Sequence, residues 1–117
     1  MRKAIFTLGH PSKRTQFEYS GDVISGVTLN FKSGDIPVSD QLFQSILDEF
    51  RERSVPGGFS MTNPIRGGLG EWVEFNSSRL NSVRLSPRHA SFIAAILENE
   101  GYIKSSLEGN AVYLHFD

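Results

Sequence analysis

Residues 86–116, SPRHASFIAAILENEGYIKSSLEGNAVYLHF, constrain the fold more than any other part of the chain. Ser86 and Pro87 form a helix-start signal. A serine hydroxyl takes up an orphan backbone N–H, and proline at the first helical position gives up nothing, because its missing N–H would be unpaired there. Phe92, Ile93, Ile96 and Leu97 follow at spacings that align them on one helical stripe. Glu98, Asn99 and Glu100 make the last turn polar. Acids at a helix C-terminus oppose the dipole, so this end is expected to be solvated. Gly101 stands where a left-handed cap residue belongs. Beyond it the side chains alternate with period two on both arms of a hairpin, with Glu108, Gly109 and Asn110 supplying the turn. The face carrying Val112, Leu114 and Phe116 is expected to be buried.

A helix followed at once by a short hairpin resembles the C-terminal half of a winged-helix domain. In that resemblance residues 87–97 are the recognition helix and residues 101–116 the wing. It implies a DNA target, met by Arg79, Arg84, Arg88, His89 and Ser91 around the helix start and by Lys104 and Asn110 on the wing. The helix face through Arg88, Ser91 and Ala95 is polar or small, which suits close approach to a groove. The same order of elements also builds α+β domains with no nucleic-acid role.

At 117 residues the chain is expected to be one domain, residues 1–117, large enough for a proper core. With nine phenylalanines and one tryptophan, that core should be phenylalanine-rich. There is no cysteine, which excludes disulfides and thiol chemistry. No apolar run approaches a membrane span, and residues 4–8 are too short an apolar stretch for a secretory signal, so a cytoplasmic protein is expected. The net charge of −1 speaks against strongly electrostatic nucleic-acid binding. Its distribution is uneven, however. Residues 1–17 contain Arg2, Lys3, Lys13 and Arg14 and no acid, and residues 75–97 contain Arg79, Arg84 and Arg88 and no acid. So few cations would bind DNA feebly in a monomer, which points toward a dimer or larger assembly.

The rest of the chain reads as antiparallel strands followed by helices. Residues 3–8 and 16–19 are short strand candidates, separated by a turn at Gly9, His10, Pro11 and Ser12. A second turn is expected at Ser20, Gly21 and Asp22. Residues 23–32 form the clearest strand, with Val27, Leu29 and Phe31 on one face, and residues 36–38 return along an edge because of Pro37. Ser39 caps a helix whose apolar face is Leu42, Phe43, Ile46, Leu47 and Phe50. Residues 55–70, VPGGFSMTNPIRGGLG, are a loop for which Phe59 or Ile65 would be anchors. Residues 70–75 read as a strand or, in preference, a short helix, which starting near Leu69 could place Trp72, Val73 and Phe75 together, and residues 76–85 read as a polar connector. The fold class expected is α+β, with N-terminal antiparallel strands plus helices and a C-terminal helix and β-hairpin.

Little here suggests catalysis, and no cofactor is expected. Gly67, Gly68 and Gly70 beside Arg66 could cradle a phosphate at a helix start, but neither a P-loop ending nor a dinucleotide fingerprint is present. His10, His89 and His115 lack metal-ligand spacing, and no serine lies in a nucleophile elbow. Glu71 and Glu74 are the nearest approach to an acid–base pair, and a cleft gathering His89, Arg66 and Glu71 would be needed to support an enzyme. The chain therefore reads as a small non-enzymatic binding domain, with two targets open. One is DNA, as above. The other is a protein partner, held by the loop of residues 55–70 and Trp72. Packing of the segment from Arg79 to His89 against Glu49 or Glu52 would favour the second.

Overall fold

The computed structural model describes residues 2–117. The chain opens with a four-stranded antiparallel meander, β1 (Arg2–Phe6), β2 (Gln16–Asp22), β3 (Gly26–Phe31) and β4 (Gly34–Val38), paired in the order β1-β2-β3-β4. Alternation decides its faces: Phe17 and Tyr19 of β2 stand opposite Ile5 and Lys3 of β1, and Tyr19 opposite Leu29 of β3. Phe17, Tyr19, Val27 and Leu29 are buried. Pro37 lies on β4, at the outer edge of the sheet, where a missing N–H leaves no ladder bond unmade. The expected turn at residues 20–22 is instead the end of β2, and the chain reverses one step later, where Asp22 accepts from the backbone N–H and the hydroxyl of Ser25.

The second half runs α1 (Asp40–Glu49), β5 (Ser54–Pro56), α2 (Leu69–Leu80), α3 (His89–Asn99), β6 (Ile103–Glu108) and β7 (Ala111–Phe116). Three helices and a C-terminal hairpin, with β5 adding a third strand in the order β5-β7-β6, make a winged-helix-like arrangement. Ser39 caps α1 as expected, its hydroxyl accepting from Leu42 N–H at 3.0 Å. The hairpin turns tightly between Glu108 and Ala111, with Gly109 in the left-handed region, and buries Leu114 and Phe116. The three residues of β5 carry no strand signal of their own; they are a strand because they pair with β7.

Helix α2 runs five residues beyond the expected segment. Leu69, Val73, Ser77 and Leu80 recur on one face and are buried, and Ser77 makes the extension possible. Its hydroxyl accepts from Leu85 N–H at 2.8 Å and donates to Leu85 O, so a polar side chain in the core is satisfied by the connector that follows. Helix α3 begins at His89 rather than Pro87. Its approach is a tight turn of i to i−3 bonds, His89 N–H to Ser86 O, Ala90 to Pro87 and Ser91 to Arg88. The Ser86 hydroxyl does not cap the helix. Instead the His89 Nδ1 accepts from Ser86 N–H at 3.0 Å.

The two halves share one core through α3. Ala90, Ile93, Ala94, Ala95, Ile96 and Leu97 are all buried, so this helix is apolar nearly all round, as a helix between two layers must be. Phe92 lies between the meander's Phe17 and Phe31, with ring centroids at 4.8 and 5.0 Å. The last turn is only partly solvated: Asn99 is exposed, but Glu100 is half-buried. Glu100 accepts from the Tyr19 hydroxyl at 2.7 Å and from Val23 N–H at 3.0 Å, and Lys3 Nζ lies 3.7 Å away. These donors from the meander outweigh the unfavourable dipole.

Candidate binding surfaces

Of the α3 flank that the winged-helix resemblance turns outward, Ala95 is 3% exposed and Arg88 is exposed. Ala94 is fully buried, and the meander meets the helix on the side of Phe92. Ser91 is half-buried, its hydroxyl donating to Arg88 O. His89 is half-buried and held by Ser86. Burial, then the neighbouring Arg88 charge, lowers its pKa below the ordinary 6.5, which keeps the imidazole neutral and its Nδ1 free to accept.

Arg79, Arg84 and Arg88 remain exposed at the corner where α2 passes into α3. Arg79 donates to Asn76 Oδ1, and none of the three is ion-paired among the described residues. The expected acids are engaged elsewhere or stand apart: Glu49 pairs with Arg53 at 3.1 Å, and Glu52 makes no ion pair among the described residues. Lys104 and Asn110 are exposed on β6 and in its turn. Arg79 lies in the last turn of α2, Arg84 in the connector and Arg88 just before α3, while Lys104 and Asn110 stand on the hairpin.

The glycine-rich loop is a packing device. Gly57 N–H donates to Val112 O, and Gly70 N–H donates to Gly57 O at 2.8 Å, which ties both ends of the loop together against the hairpin. A side chain at Gly70 would collide with the Gly58 carbonyl, and one at Gly68 would stand 2.8 Å from the Pro56 carbonyl. The N–H groups a phosphate would need are taken: Gly68 donates to Ile65 O, and Gly67 to the carboxylate of Glu71 at 3.0 Å. Phe59 anchors the loop against the core, whereas Ile65 and Met61 are exposed.

On α2 a cleft of about 220 Å³ lies between Trp72 and Phe75, bounded by Glu49, Arg53 and Glu71. Trp72 packs edge-on against Phe50 at 6.1 Å. Phe75 is 71% exposed. The helical repeat explains this: the buried stripe runs through Val73 and Ser77, and a residue two positions from Val73 points the other way. The helix therefore does not group Phe75 with Val73 as expected, and a firm helical phase for residues 69–80 would have turned Phe75 outward. His89, Arg66 and Glu71 do not share any of the described cavities, and no group of three or more histidine, aspartate or glutamate side chains among the described residues is placed to hold a metal ion. No helix among them is long and apolar enough to cross a membrane. No family model, curated protein or solved structure matches this chain.

Proposed function

We propose that this chain is a non-catalytic protein-interaction module built on a winged-helix-like frame, with the Trp72–Phe75 face of α2 as its contact surface. The carrying observation is Phe75, a large aromatic ring left exposed beside a half-buried tryptophan and framed by Glu49, Arg53 and Glu71. Aromatic anchors with a charged rim are the usual composition of a protein contact. On the helix that would otherwise read DNA, Ala94 and Ala95 are buried.

Trp72 is the only tryptophan in the chain, so its emission reports occupancy of the cleft. A photo-reactive amino acid in place of Phe75 should cross-link one discrete protein in the cells the chain comes from. Titrating that protein should shift Trp72 emission, and Phe75→Ser should weaken the titration tenfold or more. An unchanged affinity in Phe75→Ser would sink the reading.

A second reading is favoured by the unpaired corner of Arg79, Arg84 and Arg88: DNA phosphates, contacted without insertion of α3. Fluorescence anisotropy with random duplex DNA separates the two. Tight binding that weakens steeply with salt and disappears in Arg84→Ala and Arg88→Ala supports DNA. No binding at low salt removes it.

A further inference from the structure

A groove of about 630 Å³ runs between the two halves, along the side of α3 that carries Ala95 and Glu98, within the size range of ligand sites. Phe6 and Leu8 stand on one wall and Ser105 and Leu107 on the other, with Ala95 and Glu98 of α3 at the floor. Both walls belong to unpaired strands: β1 ends the first sheet and β6 ends the second.

The ladders show which backbone groups the walls present. Thr7 N–H donates to Thr15 O, so odd residues of β1 bond toward β2, and Ala4 and Phe6 turn their N–H and C=O groups outward. On the other side Val112 and Phe116 of β7 bond toward β5, through Gly57 N–H to Val112 O and Phe116 N–H to Arg53 O. Tyr113 and His115 therefore bond toward Ser106 and Lys104, and Ser105 and Leu107 of β6 face outward. The groove is thus flanked by two rows of free donors and acceptors, the template that strand addition uses.

The floor specifies a charge. One carboxylate oxygen of Glu98 is shielded from solvent and has no hydrogen-bond donor among the described residues. An ionised oxygen in that position calls for a donor, and a charged donor best of all. Arg14, the one arginine or lysine of this groove, makes no ion pair with Glu98 and donates its Nε to Gly9 O. The small side chain of Ala95 beside Glu98 leaves depth for a long side chain.

We infer that this groove binds an extended peptide, added as a strand between β1 and β6, with a lysine or arginine directed at Glu98 and apolar neighbours passing Phe6 and Leu107. The site is independent of the Trp72–Phe75 cleft.

The test is selection from a random nonapeptide display library on the immobilised full chain, followed by anisotropy titration of the recovered, fluorescein-labelled peptide. Recovered peptides should share a basic residue flanked by apolar ones. Glu98→Gln should weaken them tenfold or more, as should Ser105→Pro, which removes an outward N–H and no internal ladder bond. Phe75→Ser should leave the affinity unchanged. N-methylation of alternate backbone nitrogens in the peptide gives the same information without touching the protein, and each methylation phase should weaken binding, one by removing donors to β1 and the other donors to β6. Circular dichroism establishes that each variant is folded. Failure to enrich any sequence, or enriched peptides indifferent to Glu98→Gln and to methylation in either phase, would overturn the inference. So would a dimer in sedimentation equilibrium that Ser105→Pro dissociates, because the occupant would then be a second copy. Peptides lost only in Phe75→Ser would support the α2 surface and refute the groove.

Discussion

Glu100 shows how a single residue changes role with its surroundings. In sequence it is a polar residue at a helix end, in conflict with the dipole. In the fold it receives a hydroxyl, a backbone N–H and an ammonium from the meander. Burial, and then this hydrogen bond to Glu100, push the Tyr19 pKa up to about 12, so the phenol stays a donor across the physiological range. Glu100→Ala should lower unfolding free energy by about 2 kcal/mol, since two charge-assisted bonds are lost and Val23 N–H is left without its partner; urea denaturation checks this, and a loss near zero would mean that water replaces the carboxylate. His89 gives a pH dependence of definite sign. Its pKa is lowered in the folded state, so the unfolded chain takes up the proton first. Its contribution is fully present above pH 6.5 and declines as pH falls through the folded value. Urea midpoints at pH 7.5 and 5.5 should differ more in the wild type than in His89→Gln.

Among the elements, α3 carries the most. It is the recognition helix by position and a central core helix by burial, and the meander makes the difference. Phe92→Ala would empty the space between Phe17 and Phe31 and should cost about 3 kcal/mol, at the low end for buried phenylalanine because the ring is only partly enclosed. A double-mutant cycle with Phe17→Ala should return a coupling of roughly 0.5–1.5 kcal/mol. A coupling near zero would mean that this aromatic pair adds nothing beyond the area each ring buries. The loop before α2 makes the opposite kind of demand, for absence of side chains. Gly70→Ala forces backbone apart where Gly58 approaches and should destabilise by about 2–3 kcal/mol, readable as a lower thermal midpoint.

For the whole molecule, a core shared through α3 means that the meander and the winged-helix-like half should unfold together. Trp72 emission reports the second half, and far-UV circular dichroism both, so their urea transitions should superimpose. Two separated midpoints would show that the meander folds and unfolds by itself. The same sharing shapes the surface. Seating α3 between the two halves buries Ala94 and Ala95, and it creates a groove with a free strand edge on each wall. Neither consequence belongs to either half alone.

Local patterns settled much of this in advance. Ser39 and the stripe behind it specify α1; the alternation at Val27, Leu29 and Phe31 specifies β3; Gly101 and the period-two arms specify the hairpin, and the α+β order follows. Each signal lies within one or two turns of chain, where side-chain spacing and φ preference act directly. What lay beyond reach depended on contacts distant in sequence. Strand β5 exists through β7, the end of α2 through the Ser77–Leu85 bonds, and the seat of Phe92 through a sheet far earlier in the chain. An apolar stripe declares that a helix is covered, but not by what or on how many sides. Two alanines suit an exposed groove-reading face and a closely packed interface equally well, and only the tertiary packing around α3 decides between them.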